Sequence, residues 1–255
     1  MSTNPSDSYL RSPWVVCTET CGVYCSPDLT SHCLTTLPIG SRIYVEHITT
    51  ADGLEWIPIH YEEIQGFALR CFFYRVYPKN IQPGNLRIGL ERVNRWWGIP
   101  LAYEPSDLVE IPKEWCFEDR GDFLRAEPLE KALELLEAAR SAGIEIRICS
   151  AYRSGERQRI LYLAALARDG CNQRYSAPPG HSEHQLGTAL DFVDPEGKHL
   201  LKESFGETEA GRWLAQNAQQ YGFRRSYTPD NIEETGYISE PWHYRYWGPS
   251  SAWLI

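Results

Sequence analysis

Two kinds of hydrophobic pattern divide the chain. Over residues 14–75 the apolar positions fall in short runs rich in β-branched and aromatic residues: Val15-Val16-Cys17, Gly22-Val23-Tyr24, Ile43-Tyr44-Val45, Leu54-Glu55-Trp56-Ile57-Pro58-Ile59 and Gly66-Phe67-Ala68-Leu69. Such runs fit the pleated, half-buried surface of a strand. Pro27-Asp28, Pro38-Ile39-Gly40 and Ala51-Asp52-Gly53 separate them with turn chemistry. Strands this short and evenly spaced predict a small β-barrel.

After residue 106 the period changes. Leu129, Ala132, Leu133, Leu135, Leu136 and Ala139 form a broad apolar stripe at helical spacing, with Pro128 near its start and Gly143 after its end. The alternating run Ile144-Glu145-Ile146-Arg147-Ile148-Cys149 predicts a strand. A second helix is expected from Gly155 to Ala167 behind Ser154 as N-cap, and a third from Thr208 to Tyr221 with Gly222 beyond it. Leu190-Asp191-Phe192-Val193 reads as another strand. The expectation is an α+β chain: a flexible arm over 1–13, a small β-barrel domain over 14–75, a connection over 76–105, and over 106–255 an α+β domain with a small antiparallel sheet flanked by helices.

Composition adds exclusions. A net charge of −9 with no block of lysines or arginines argues against nucleic acid and anionic membrane as partners. No apolar run approaches the roughly 18 residues of a membrane span. The polar start Met-Ser-Thr-Asn-Pro-Ser-Asp-Ser lacks the apolar stretch of a signal peptide. Nine tryptophans and fifteen tyrosines suit sugar stacking and aromatic cores alike. Trp96-Trp97 can line a groove or pack between domains. Of eight cysteines, Cys17, Cys21, Cys25 and Cys33 cluster early, without the paired spacing of structural zinc knuckles; disulfides and buried thiols both remain open for them.

The candidate chemistry sits in two groups. His184 and Asp191 lie seven residues apart around Gly187, straight after Pro178-Pro179-Gly180. On a helix that spacing separates them by about 10 Å along the axis. On a straight strand an odd spacing sends them to opposite faces. Both reach one ion only if the chain turns between them, and Gly187 is where it can. Glu240 and His243 form the second group. Two imidazoles and one carboxylate leave a fourth metal position open, the catalytic arrangement. A further carboxylate that does not ligate can act as general base towards water. His32, His47, His60 and His199 read as ordinary surface or core histidines.

The motifs extend beyond the ligand types. Ser182-x-His184-x2-Gly187-x-Ala189-x-Asp191, Glu240-x-Trp242-His243-x-Arg245, and upstream Ser150-Ala151-Tyr152-Arg153-Ser154 followed by Gln158 resemble, in order, the signatures of the VanY-type D-alanyl-D-alanine carboxypeptidases, with L,D-carboxypeptidase and L-alanyl-D-glutamate endopeptidase relatives. Ala151 stands where that family carries glycine. The resemblance implies one zinc ion held by His184, Asp191 and His243, with Glu240 as general base. It places Arg153 at the metal edge, facing the oxyanion or the substrate carboxylate. Ser182 and Gln158 would contact the C-terminal residue of the substrate, and Tyr152 and Trp242 would wall the cleft. In the first domain, Gly22-Val23-Tyr24-Cys25-Ser26-Pro27, Leu37-Pro38-Ile39-Gly40-Ser41, Asp52-Gly53-Leu54-Glu55-Trp56-Ile57-Pro58-Ile59 and Gly66-Phe67-Ala68 resemble a bacterial SH3-like domain, implying a wall-binding or bracing module.

The expected function is zinc-dependent hydrolysis of peptidoglycan stem peptides, removing a C-terminal D-alanine outside the cytoplasm. Two alternatives stand: an endopeptidase or phage-type lysin, and a zinc-containing wall-binding module without turnover. The latter would have no need of Glu240 and Arg153.

Overall fold

Runs of β-branched and aromatic residues give the first part of the chain its strands, and turns separate them. The computed structural model describes residues 14–76, 92–118 and 121–248. The expected arm, 1–13, and residues 77–91 of the expected connection lie outside them. The first strands are β1 (Trp14–Cys17), β2 (Cys21–Tyr24), β3 (Cys33–Leu37), β4 (Arg42–Tyr44), β5 (Thr49–Ala51), β6 (Leu54–Tyr61), β7 (Ile64–Leu69) and β8 (Phe73–Val76), followed by β9 (Trp97–Gly98). They form a five-stranded sheet in the order β3-β2-β7-β6-β5 and a four-stranded sheet in the order β4-β1-β8-β9. Inward residues of both sheets, among them Val15, Val23, Leu37, Ile43, Ile57, Ile59 and Phe73, share one core.

The small β-barrel expected here does not form by closure of a sheet: among the described residues no sheet closes into a barrel. β1 pairs with β4 on one side and β8 on the other, in a separate sheet, and the five-stranded sheet has β3 and β5 as open ends. Trp97 joins this region through backbone pairing of β9 with β8, opposite Arg75.

The second part follows the predicted order. A hairpin of β10 (Leu108–Glu110) and β11 (Phe123–Arg125) leads into helix α1 (Ala126–Ser141). Then come β12 (Arg147–Ser150), α2 (Gly155–Asp169), β13 (Ala189–Val193), α3 (Glu209–Asn217), β14 (Phe223–Arg225), α4 (Ile232–Thr235) and β15 (His243–Tyr246). The Ser154 hydroxyl accepts from Arg157 N–H at the start of α2, and the Thr208 hydroxyl from Gly211 N–H at the start of α3. The third expected helix is shorter than its pattern: beyond Asn217 the chain tightens into a 3₁₀ turn, Ala218–Tyr221, which Gly222 ends in the left-handed region. No helix among the described residues is long and apolar enough to cross a membrane.

The antiparallel sheet β12-β13-β15-β14 is the frame of the site. Its central strand β13 is buried at all five positions. Leu190 and Phe192 on β13, with Tyr244 and Tyr246 on β15, face a core completed by Leu135, Leu136 and Ala139 of α1 and Leu214 of α3. Side chains alternate between faces along a strand. Asp191, His243 and Arg245 are thereby sent to the opposite face, buried but polar.

Candidate active site

Register brings the candidate ligands together. β13 and β15 pair antiparallel with Asp191 directly opposite His243, so both side chains rise from the same face. His184 arrives from the 3₁₀ turn Glu183–Leu186, which Gly187 ends at φ 68°, ψ 25°. The turn inferred from the seven-residue spacing is thus present at that glycine. A Cβ on Gly187 would lie 2.9 Å from Arg125 Cγ and 3.1 Å from both Leu108 Cδ2 and Pro105 Cγ. Gly187→Ala is expected to cost about 1–2 kcal/mol from the left-handed backbone alone. A lowered midpoint in thermal unfolding, with reduced metal affinity, checks it.

One ligand atom from each of His184, Asp191 and His243 lies within 4.8 Å of the others, and all three side chains are buried. The tautomers follow from the partners. His184 Nδ1 donates to the Ala151 carbonyl at 2.6 Å, which leaves Nε2 with its lone pair 3.2 Å from Asp191 Oδ2. His243 sits between two carboxylates: Nδ1 donates to Asp191 Oδ1 and Nε2 to Glu183 Oε2, both at 2.9 Å. Glu183 is held in turn by Arg245 Nη1 at 3.1 Å, and Tyr227 stacks on the His243 ring at 4.7 Å and 18°.

Burial and charge oppose each other here. Burial pushes the Asp191 carboxyl up, yet the His184 and His243 imidazoles hold it well below the usual carboxylate range. Burial likewise raises Glu183, but Arg245 and His243 bring it down to about 2. Burial lowers His243, and its hydrogen bonds to Asp191 and Glu183 outweigh this, taking it up to about 10. His184 is pushed below its ordinary value, by burial first and by Arg153 in addition. The hydrogen at His243 Nδ1 faces Asp191 Oδ1, inside the group of candidate donor atoms. A metal ion would replace that proton. The donor set fits a metal: two ring nitrogens and a carboxylate converge, while a backbone carbonyl and a carboxylate fix the far nitrogens of the two histidines, as in zinc sites.

Glu240 lies beside the triad and outside it. Its Oε2 is 4.0 Å from His243 Nδ1, and its side chain is 13% exposed. Burial pushes its carboxyl up to about 8; His243 pulls the other way and Asp191 adds to the rise. A carboxyl near neutrality exchanges protons in both directions.

The remaining predicted residues separate. Arg153 donates from Nη1 to Gln158 Oε1 at 2.7 Å and from Nη2 to Ser150 Oγ at 3.0 Å. Gln158, almost fully buried, also donates to the Ala177 carbonyl at 2.6 Å. The structure thus places Gln158 as a brace between Arg153 and the 176–177 segment. Ser182 and Trp242 line a cleft of about 520 Å³ together with Arg153, Gln158, the metal triad and Glu240. Trp242 belongs to the hydrophobic core as well. Tyr152 does not line that cleft: it borders an adjoining hollow of about 380 Å³, which shares Arg153 and Asp191 with it. The hydroxyl of Tyr152 is buried without a hydrogen-bond partner.

Glu183, Arg245 and Tyr227 were not assigned roles from the sequence. For Arg245 the cue was present: on a strand it lies two residues from His243, hence on the same face. Glu183 and Tyr227 offered no comparable cue, since their neighbours are brought in by distant parts of the chain.

A cleft that ends in two histidines and an aspartate, with an uncoordinated glutamate and an arginine beside them, defines the class of metal-dependent hydrolase sites. A family model described as D-alanyl-D-alanine carboxypeptidase, VanY, matches residues 121–249. The chain belongs to that family. It is 36% identical over 170 residues to the putative carboxypeptidase YodJ of Bacillus subtilis (strain 168), covering 65% of this chain and 62% of that one. It spans about three fifths of the length of YodJ and of the D-alanyl-D-alanine carboxypeptidase of Enterococcus faecalis. The solved LdcB LD-carboxypeptidase shares 32% identity with it at a TM-score of 0.62, over 82% of this chain and 87% of that one. A vancomycin-resistance VanY D,D-pentapeptidase solved in complex with Zn(II) shares 34% identity at a TM-score of 0.51, over 66% of this chain and 92% of that one.

Proposed function

We propose that the chain is a zinc-dependent carboxypeptidase that removes the C-terminal D-alanine from peptidoglycan stem peptides. Residues 106–255 would form the catalytic unit. The observation that carries the reading is the convergence of His184, Asp191 and His243 within 4.8 Å, at the end of a cleft that also holds Glu240 and Arg153. The relatives' names supply the substrate class: D-alanyl-D-alanine carboxypeptidase in Enterococcus faecalis and a VanYB structure in complex with D-alanine-D-alanine.

Bound at the three donors, zinc supplies Lewis-acid polarisation of the scissile carbonyl and acidification of water. The chain's own residues do the rest. The Glu240 carboxylate takes a proton from the attacking water and delivers it to the departing amine nitrogen. The Arg153 guanidinium, fixed by Gln158 and Ser150, faces the negative charge that develops on the carbonyl oxygen. Ser182 is the candidate contact for the terminal residue, and Trp242 walls the cleft. Tyr152 is assigned to the adjoining hollow, where the stem peptide would continue.

A second reading, L,D-carboxypeptidase, is favoured by one observation: the likeness to LdcB covers 82% of this chain, more than the catalytic unit alone. Residues 14–75, on their SH3-like motifs alone, are proposed as a wall-contacting or bracing unit, with an extracytoplasmic site of action.

Defined pentapeptide and tetrapeptide stems, analysed by mass spectrometry, separate the readings. Loss of one alanine from the pentapeptide gives D,D-activity, loss from the tetrapeptide gives L,D-activity, and a cut inside the stem gives an endopeptidase. A chelator is expected to abolish turnover, and added zinc to restore it. His184→Ala should fail to recover with zinc; full activity in that variant would remove His184 from the site.

A further inference from the structure

Eight cysteines take no part in the metal site, and two of them meet across 100 residues of chain. Cys71 lies in the turn Arg70–Phe72 after β7, and Cys171 follows Gly170 at the end of α2. Their Sγ atoms are 2.6 Å apart, with the Cys71 thiol donating to Cys171. Cys17 and Cys21, with Sγ atoms 3.5 Å apart, lie together within the first β region and join nothing to the cleft.

The contact between Cys71 and Cys171 is embedded in a larger one. Tyr162 of α2 donates its hydroxyl hydrogen to the Cys71 carbonyl at 2.9 Å, and its oxygen lies 2.5 Å from the Tyr74 hydroxyl. Arg159 pairs with Glu19 at 3.1 Å. Asn172, next to Cys171, donates to the Gly53 carbonyl at 3.4 Å. The first β region is thus laid along α2 and the start of the segment after it. That segment goes on to Tyr175, Ser176 and Ala177, which line the cleft, and Ala177 accepts the hydrogen bond from the Gln158 amide that also carries Arg153.

We propose that Cys71 and Cys171 form a disulfide that makes the first β region a covalent buttress of the cleft wall. Cys171 is the attacking group. It is the more exposed of the two, and the hydrogen bond from Cys71 lowers its thiol pKa. Its thiolate attacks one sulfur of an external disulfide, such as oxidised glutathione or an oxidoreductase disulfide, and expels a thiolate. Cys71 then loses its proton and attacks the Cys171 sulfur of the mixed disulfide, expelling the second thiolate. Two protein thiols become one disulfide, the external disulfide is reduced to two thiols, and the two protons go to the expelled thiolates. The closed loop is long, so the bond restricts the unfolded chain strongly.

The full chain is incubated with oxidised glutathione, alkylated, digested with trypsin and analysed by mass spectrometry. Residues 71–75 and 169–174 are expected as one covalently linked pair that separates on reduction. Reduction is expected to lower the thermal midpoint by about 5 °C or more. Cys171→Ser should show the lower midpoint with or without reductant, with zinc content unchanged because no cysteine is a donor. KM for the stem peptide should rise about threefold or more in that variant, with kcat little altered. Recovery of both peptides as separately alkylated thiols after oxidation would overturn the proposal. So would a wild-type midpoint that reductant does not move.

Discussion

Glu240→Gln is expected to lose turnover by about 10²–10⁴-fold while keeping its zinc. Glutamine matches glutamate in size but accepts no proton from water. The three convergent atoms that could hold the metal belong to His184, Asp191 and His243, and Glu240 Oε2 stands apart from them, 4.0 Å from His243 Nδ1. Metal content measured beside kcat therefore separates two roles. Lost turnover with one zinc retained is the signature of a base. Lost zinc would make Glu240 a ligand, and retained turnover would end the assignment. Stability should not fall, because burial already pushes this carboxyl up to about 8 and a neutral amide avoids that cost.

Much of this site was legible before any coordinates. The spacing of His184 and Asp191 excluded helix and straight strand, and that exclusion located the turn at Gly187. The helices were legible too, because an apolar stripe such as Leu129–Leu136 and a cap such as Ser154 are local properties. What stayed hidden is non-local. Each short strand between Trp14 and Val76 satisfies its own alternation whichever neighbour it pairs with, so nothing local distinguishes a closed barrel from two sheets with open ends. Gln158 shows the same limit on a smaller scale. Its residue type suggested a substrate contact, and it does line the cleft; its bracing partners, Arg153, Ser176 and the Ala177 carbonyl, lie on different segments and left no local sign. Tyr152 adjoins Arg153 in sequence and shares the adjoining hollow with it, yet only Arg153 also reaches the cleft.

The second large effect is expected behind the metal triad. Arg245→Met removes the guanidinium that holds Glu183, leaving a carboxylate that is 4% exposed with His243 as its remaining charged partner. Breaking a buried pair from one side costs about 3–5 kcal/mol, because the surviving charge has no water to return to. Methionine roughly fills the space of the arginine stem, so lost packing is the smaller part, although the contact of the guanidinium with the Trp247 ring at 4.3 Å goes as well. Zinc affinity should drop about 10–100-fold, since the carboxylate that fixes His243 Nε2 is no longer fixed itself. Adding Glu183→Gln to Arg245→Met tells charge from shape. The double variant carries no uncompensated carboxylate, so its unfolding free energy should recover most of the loss. Its zinc affinity should stay low, because a glutamine oxygen accepts more weakly from His243 Nε2–H and does not raise the basicity of Nδ1. Stability that failed to recover would mean that Arg245 acts through packing. Affinity that returned with stability would mean that Glu183 and Arg245 hold the fold and leave the metal untouched.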